Sequence, residues 1–180
     1  MMTIYIYAIF VLMMMLTGII IIVGYFLFNG IISVPWVRTP RKLTDEMLKL
    51  ANLKSGERVV DFGSGDGSIV IEAVKNFGAV GYGIERLSLL VWWSRWLASR
   101  NGVSDRTTFV RGNMFKQAPP EADVITSYLF SDVNIKLEPM LIEHYPSGTR
   151  VVARVFSFPG LKHIRSLNVG SDTIHLYEIP

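Results

Sequence analysis

The first 37 residues of the chain carry no charged side chain: the 18 Lys and Arg and the 15 Asp and Glu all lie from Arg38 onward. Residues 3–28 are almost wholly apolar, and as an α-helix they would span roughly 39 Å, more than the roughly 30 Å hydrocarbon core of a bilayer. Tyr5, Tyr7 and Tyr25 lie near the ends of this stretch, where amphipathic rings favour the membrane interface. The pattern predicts one transmembrane helix that contacts the bilayer through residues 3–28.

Two other structures are known for apolar stretches near an N-terminus. A signal peptide has a basic start and a shorter apolar run, whereas this chain begins MMTIYIY and shows no small-x-small cleavage site. A core helix of such length would exceed what so small a domain can bury. Arg38, Arg41 and Lys42 follow the apolar stretch and no basic residue precedes it. The positive-inside tendency therefore predicts a single-pass membrane protein, with its C-terminal part in the cytoplasm or the equivalent compartment of an organelle.

The remainder of the chain is long enough for one folded domain and too short for two. Gly and Pro within residues 29–36 predict a linker, and Thr39 followed by Pro40 predicts the N-cap and first turn of a helix. We therefore divide the chain into an anchor and linker at residues 1–33 and a folded domain at residues 34–180.

Strands and helices alternate along the folded domain. Apolar runs rich in β-branched residues predict strands at 57–63, 79–85, 107–114, 122–130, 150–156 and 173–179, with a weaker one before the last. The helix that follows Thr39 and Pro40 has the apolar residues Leu43, Met47, Leu50 and Ala51 on one face and ends at residues 54–56. The same helical spacing predicts helices at 68–77, 87–100 and 133–145, the last with Pro139 as a point of kinking or interruption. This alternation predicts an α/β fold of the Rossmann-like, doubly wound type with a mostly parallel sheet.

A glycine-rich loop, DFGSGDG at residues 61–67, joins the first strand to its helix. Glycines let the backbone turn tightly and approach a ligand closely. The carboxylate two residues before the first glycine distinguishes this loop from the dinucleotide-binding G-x-G-x-x-G, because it would repel a pyrophosphate. The same carboxylate would attract a sulfonium or an ammonium group, so the loop predicts a cationic ligand.

Two further polar residues follow the neighbouring strands. Glu85 ends the second strand, where a carboxylate can accept hydrogen bonds from both ribose hydroxyls. Asn113 follows the third strand, where its side-chain oxygen can accept from an adenine amino group. Because the carboxyl ends of parallel strands meet at one edge of a sheet, we expect these residues to converge with Asp61. A nucleoside with a cationic amino acid end matches this set, and the predicted cofactor is S-adenosylmethionine.

The sequence resembles the class I, seven-strand S-adenosylmethionine-dependent methyltransferases: DFGSGDG resembles their first motif, GYGIE their second and GNM their third. One family within that class is similar through VPWVRTP, VVDFGSGDGSIVIEA, GYGIER, YLFSDVNIKLEPML and GTRVVARVFSFPG. It comprises archaeal and bacterial protein-lysine methyltransferases and the mitochondrial lysine methyltransferase of the ATP synthase c-subunit. Members often carry an N-terminal hydrophobic segment. The resemblance covers about residues 34–180 and implies an enzyme that methylates a lysine amine in a protein.

The resemblance also implies a set of cofactor-binding residues: Trp36, Thr39, Pro40, Asp61, Gly63, Ser64, Gly65, Gly67, Glu85, Asn113 and Met114. Trp36, Thr39 and Pro40 belong to a segment expected to close over the cofactor. The chain departs from the family pattern at two places. Asn113 stands where many class I enzymes have Asp, and Ala153-Arg154-Val155 stands where prokaryotic relatives tend to have Ser-His-Asp.

An aromatic rim is expected at the acceptor side of the site. Tyr128 and Phe130 would face the transferred methyl group, and Tyr128 is the candidate catalytic residue. Together with Phe156 and Phe158, these rings could attract an incoming ammonium by their faces and then desolvate it. For Phe156 and Phe158, simple packing beneath the sheet edge is an alternative.

Several functions are disfavoured by what the sequence contains. Enzymes that methylate base amino groups usually carry D/N-P-P-Y after the fourth strand, where this chain has Ser-Tyr-Leu-Phe at residues 127–130. A net charge of +3 is too small to indicate nucleic acid, and we expect no nucleic-acid partner. The chain has no cysteine, and His144, His163 and His175 are scattered, so we expect no metal site.

Three alternatives remain open at this point. The enzyme could methylate a lipid headgroup or a small membrane-associated molecule, and the domain could be a cofactor-binding scaffold without turnover; a role in binding NAD is less favoured. Trp92, Trp93 and Trp96 cluster on one predicted helix with Arg95 and Arg100. Core packing and contact with a bilayer interface both account for such a cluster.

Overall fold

The structure is a computed structural model that describes residues 2–32, 37–116 and 120–180. The described residues fall into two compact units, one within residues 1–35 and the other within residues 36–180.

The first unit is a single helix, α1 (Met2–Ile32). Within it, Met2–Tyr25 has a mean hydropathy of 2.8, and its large apolar side chains are exposed. In the described part of the chain, α1 is the one helix long and apolar enough to cross a membrane, and an N-terminal signal sequence can have the same length and composition. Helical backbone continues through residues 29–32, which the sequence assigned to the linker, because one glycine costs a helix only about 1 kcal/mol.

The second unit is an α/β fold whose elements alternate as predicted. Its strands are β1 (Arg58–Phe62), β2 (Val80–Glu85), β3 (Thr107–Arg111), β4 (Val124–Ser127), β5 (Arg150–Arg154), β6 (Lys162–Val169) and β7 (Asp172–Glu178). Its helices are α2 (Arg41–Leu50), α3 (Ser68–Phe77), α4 (Ser88–Arg100) and α5 (Ser131–His144), with a short 3-10 helix at Ser104–Arg106. The weaker strand expected before the last one is β6, and α5 continues through Pro139 without interruption.

The seven strands form one sheet in the order β3-β2-β1-β4-β5-β7-β6. The five strands β1 to β5 are parallel, and β7 runs antiparallel to both of its neighbours. The predicted fold class is confirmed. The strand order reverses between β1 and β4, so the loops that follow these strands diverge and leave a crevice at their carboxyl ends. The register places Asp61 of β1 between Gly83 of β2 and Thr126 of β4, at this switch point.

Buried apolar side chains hold the helices on the sheet. One core cluster contains Met47 and Leu48 of α2 together with Val59, Val124 and Val152 of the central strands. A second cluster joins α3 and α4 to β3. Because α3 directly follows β1 and α4 directly follows β2, both helices begin near the carboxyl edge of the sheet.

Candidate functional site

The glycine loop between β1 and α3 turns back over the end of β2. The backbone N–H of Gly63 donates to the carbonyl of Ile84 at 2.9 Å. Gly63 and Gly67 have φ values of 78° and 74°, in the left-handed region that favours glycine. A Cβ on Gly63 would lie 2.8 Å from Leu129, and one on Gly67 would lie 2.6 Å from the ring of Phe109. Both the backbone conformation and the close neighbours therefore require glycine at these two positions.

The carboxylate of Glu85 holds this loop to β2. Its Oε2 accepts a hydrogen bond from the N–H of Gly65 at 3.0 Å. Its Oε1 accepts from the N–H groups of Arg86 and Leu87 at 2.7 and 2.8 Å. A carboxylate has about four acceptor positions. These backbone bonds therefore leave room for about one of the two ribose hydroxyls that the sequence analysis assigned to Glu85.

Three carboxylates, those of Asp61, Asp66 and Glu85, gather around the loop. Asp61 is only 2% exposed, and its Oδ1 accepts a hydrogen bond from the Thr126 hydroxyl at 2.7 Å. Burial is the main cause that raises the pKa of Asp61 to about 7; the Thr126 hydrogen bond opposes the shift, and the charges of Glu85 and Asp66 add to it. A bound cation would favour the ionised form of Asp61. The residues present therefore fit a ligand with a positively charged end.

The segment before α2 is attached to the same edge of the sheet. The guanidinium of Arg38 pairs with the buried carboxylate of Asp66 at 3.2 Å. Thr39 is buried, and its hydroxyl accepts a hydrogen bond from Arg154 at 3.4 Å. The expectation that Thr39 caps α2 is wrong, because Pro40 occupies the cap position and no side chain completes the cap. The Thr39 hydroxyl instead accepts from Arg154, because a buried guanidinium needs hydrogen-bond acceptors within the protein, whereas water can satisfy the exposed end of a helix.

Arg154, at the end of β5, ties three parts of the site together. Its guanidinium is buried and pairs with Asp172 at 2.6 Å. The same group lies 4.1 Å from the centre of the Tyr128 ring, a cation–π contact. Arg154 therefore occupies one face of Tyr128, and a ligand can approach this half-buried ring only from elsewhere.

A buried amide positions the aromatic rim. Asn134 is fully buried; its Oδ1 accepts from the Ser127 hydroxyl at 3.0 Å and its Nδ2 donates to the carbonyl of Phe156 at 3.0 Å. Between β5 and this carbonyl, Val155 adopts a φ of 66°, a strained conformation for a β-branched residue. The Phe156 ring meets the exposed ring of Phe130 edge-on, with centroids 5.4 Å apart. The loops after β4 and β5 thus form one rim.

Phe158 does not join this rim. Its side chain is 1% exposed and packs against Tyr177 with ring centroids 5.9 Å apart. Phe158 therefore packs beneath the sheet edge, as the packing alternative expected, and its buried ring offers no surface to a substrate. Phe156 is partly exposed and lies with Phe130 at the rim.

Two of the remaining predicted cofactor residues, Asn113 and Met114, follow β3. Asn113 is exposed, and its side-chain oxygen accepts from the N–H of Phe115 at 3.0 Å. The Met114 methyl would lie 3.7 Å from a Cβ on Gly63, so it borders the loop. Trp36 lies outside the described residues.

The side chain of Ser64 lies on the face of the glycine loop that packs against β2. Its buried hydroxyl has no hydrogen-bond partner among the described residues and would lie 2.7 Å from a Cβ on Gly83. It therefore faces β2, and only the backbone of Ser64 follows the loop.

Sequence reasoning missed four residues that organise the site: Asp66, Thr126, Asn134 and Arg154. All four stand in stretches that were identified as motifs or strands. The signal that could have found them is a charged, amide or hydroxyl side chain inside or beside an apolar run. Such a group must find a buried partner if the run itself is buried.

A cavity of about 470 Å³ opens between α2, α3 and α4. Arg41, Ser68 and Glu72 contribute to its lining. Among the predicted cofactor residues that the structure describes, Thr39 and Pro40 border it. Arg38, which pairs with Asp66, also borders the cavity, so the cavity adjoins the segment before α2.

The strand order and the acidic glycine loop at the switch point define the seven-strand methyltransferase class. Comparison with solved structures agrees: the chain is similar to the crystal structure of an RNA methyltransferase from Salinibacter ruber in complex with S-adenosyl-L-homocysteine. The two chains are 40% identical, the TM-score is 0.78, and the match covers 80% of this chain and 94% of the other.

The particular family follows from sequence comparison. The family model of the ANTKMT methyltransferase domain matches residues 61–165. The protein-lysine N-methyltransferase of Saccharolobus islandicus (strain REY15A) is 35% identical over 151 residues, covering 81% of this chain and 94% of that protein. The human lysine N-methyltransferase of the ATP synthase c-subunit is 32% identical over 148 residues, covering 82% of this chain and 62% of that protein.

The chain belongs to the ANTKMT methyltransferase family. The predicted resemblance to the S-adenosylmethionine-dependent protein-lysine methyltransferases is confirmed, and S-adenosylmethionine is the cofactor. The chain spans less than two thirds of the human relative's length.

Proposed function

We propose that the chain is a membrane-anchored enzyme that transfers a methyl group from S-adenosylmethionine to the side-chain amine of a lysine in a protein substrate. Residues 1–33 form the anchor and linker, and residues 34–180 form the catalytic domain. One observation carries this proposal. The carboxyl edge of the sheet holds three carboxylates around a glycine loop, and an aromatic rim follows the adjacent strands.

When bound, the cofactor supplies an electrophilic methyl group on a sulfonium. On the cofactor side, Asp61 offsets positive charge, Asp66 is paired with Arg38, and Glu85 keeps about one acceptor position for a ribose hydroxyl. Leu129 and Met114 border Gly63 and provide apolar contact. Positioning supplies most of the rate of such an in-line transfer, so the rigidity of this loop is part of the catalytic function.

On the acceptor side, a lysine amine with an ordinary pKa near 10.4 must lose its proton before it can attack. Phe130 and Phe156 would replace water around the incoming amine, and desolvation lowers its pKa. Tyr128 would present its remaining surface to the same amine. Asn134 acts as a positioning residue because it holds the backbone of Phe156 in place.

Two features support a protein substrate at a membrane. Several relatives are named for lysine methylation of proteins, among them the ATP synthase c-subunit and adenine nucleotide translocase. The uncharged, exposed apolar side chains of residues 2–25 in α1 support anchorage in a bilayer.

RNA methylation is a second candidate. The Salinibacter ruber protein is named an RNA methyltransferase and is 40% identical to this chain. That name runs against our expectation that the chain has no nucleic-acid partner, so the test must include RNA as an acceptor.

The full chain, reconstituted in vesicles with methyl-labelled S-adenosylmethionine, is offered a cell extract that is then separated into protein, lipid and RNA. We expect label in protein, recovered as methyl-lysine after acid hydrolysis, and its loss in Asp61→Asn. Asp105→Asn, at an exposed carboxylate, is the matched control and should retain activity. Label in RNA or lipid would overturn the lysine proposal, and cofactor binding without label in any fraction would indicate a scaffold.

A further inference from the structure

Helix α4 presents an apolar face to solvent. Leu89, Trp92, Trp93 and Trp96 follow the helical spacing i, i+3, i+4, i+7, and their side chains are between 40% and 59% exposed. Arg100 extends this row by one turn, and its guanidinium lies 5.5 Å from the centre of the Trp96 ring. We call these five residues the α4 face.

The opposite side of α4 already fills the core, with Leu90, Val91, Ser94 and Ala98 buried. Core packing, one of the two explanations considered for the tryptophans, therefore does not describe them. Trp93 and Trp96 stack at 4.7 Å, and Trp92 adjoins Trp93 at 6.3 Å, so the indoles form one continuous surface. Contiguous exposed apolar surface of this kind marks a place of interaction.

The chemistry of the α4 face matches an anionic membrane surface. No acidic residue stands between Glu85 and Asp105, and α4 carries two arginines. Arg95 donates to the carbonyl of Phe109 at 2.6 Å, so Arg100 is the cation that the α4 face presents to a phosphate. Indole rings favour the boundary between headgroups and acyl chains, and arginine pairs with phosphate. A basic helix with exposed tryptophans is the composition of helices that lie in this interface.

We propose that the α4 face is a second membrane contact, by which the catalytic unit docks on an anionic bilayer. This inference rests on the proposed anchorage by α1 in one respect. If α1 tethers the catalytic unit to the bilayer, even a weak contact by the α4 face is enough to keep that unit docked. A nucleic acid is a poorer occupant, because the face offers an aliphatic side chain and one guanidinium in place of a basic groove that follows a backbone.

The chain contains no cysteine, so a single introduced cysteine can carry an environment-sensitive NBD fluorophore. One labelled variant is Ser99→Cys, at the exposed edge of the α4 face; the matched control is Ile142→Cys, exposed on α5. The full chain is reconstituted in vesicles of phosphatidylcholine and phosphatidylglycerol that contain a nitroxide-labelled lipid. We expect a blue-shifted, nitroxide-quenched emission at position 99 and emission typical of water at position 142.

Replacing Trp92, Trp93 and Trp96 together by Gln in the Ser99→Cys chain should abolish the shift. These side chains are exposed, so circular dichroism should show an unchanged fold. Equal exposure of both labels to water would overturn the proposal whether or not the triple variant folds. Shielding without lipid that rises with protein concentration would assign the face to a second copy, and shielding by added RNA alone would assign it to nucleic acid; either result also overturns it.

Flotation of the same vesicles separates this inference from the proposed anchorage. A chain that floats with its position 99 label in water retains the α1 anchor and refutes the α4 contact. A chain that floats only while the tryptophans are present retains the α4 contact and refutes the α1 anchor. A chain that never floats refutes both.

Discussion

The buried carboxylate of Asp61 should make the protein less stable than it would be without this charge. Asp61 lies at the switch point of the sheet, 2% exposed, with Glu85 and Asp66 nearby. Replacing it by Asn removes the charge and keeps an oxygen that can accept the hydrogen bond from Thr126. We therefore expect Asp61→Asn to stabilise the fold and to weaken cofactor binding, the trade-off typical of active sites.

The magnitude follows from the pKa of Asp61, which rises from 3.8 in its ordinary state to about 7 in the folded protein. Between these pH values the folded protein keeps a proton that the unfolded chain has lost. The free energy of unfolding therefore falls as pH rises through this window and levels off above pH 7. At about 1.4 kcal/mol per pKa unit, ionised Asp61 costs about 4 kcal/mol at pH 8 and less than half of that at pH 5.

The assay is urea unfolding of the full chain in detergent micelles at pH 5 and pH 8, followed by tryptophan fluorescence. Asp61→Asn should gain up to about 4 kcal/mol at pH 8 and clearly less at pH 5. The exposed-carboxylate control, Asp105→Asn, should stay within about 0.5 kcal/mol at both pH values. A gain that is absent at pH 8, or the same at both pH values, would refute the reasoning.

Three further predictions test the site and the division of the chain. Asn134→Leu should lower the free energy of unfolding by about 1–3 kcal/mol, because the buried Ser127 hydroxyl loses its partner, and kcat should fall with it; unchanged urea midpoints would contradict this. Glu85→Ala should weaken S-adenosylmethionine binding in calorimetry and also destabilise the glycine loop, since three backbone N–H groups lose their acceptor; unaltered affinity would remove its ribose role. Deletion of residues 1–33 should leave a folded, cofactor-binding unit that no longer requires detergent, and failure of that unit to fold would place α1 in its core.

Local signals made much of the fold predictable. A glycine loop between an apolar strand and an amphipathic helix is a contiguous pattern, and so is each strand of the sheet. The places where sequence analysis failed share a different property. Thr39 was expected to cap α2 because its neighbours suggest a cap, yet its hydroxyl bonds to Arg154, 115 positions away. For Phe158 the sequence left a place at the rim and simple packing both open, and the ring packs against Tyr177 of β7.

The site shows the same division. Asp61, the glycines and Glu85 could be identified from their order along the chain, because parallel strands end at one edge. The sequence could not reveal that the glycine loop donates a hydrogen bond to Glu85. Nor could it reveal that Asp61 pairs with Thr126, 65 positions away. Such bonds depend on strand register and on which rotamer avoids leaving a buried group unpaired.

The amino-acid sequence by itself determined an uncharged, bilayer-length helix, an alternating α/β unit and an acidic glycine loop, since each depends on residues close together along the chain. Only the tertiary structure decided that Arg154 covers one face of Tyr128, that Asn134 holds the rim and that the tryptophans of α4 face outward. The spacing of apolar residues shows that α4 has two apolar faces. Only the packing of α4 on the sheet decides which face is buried and which is exposed.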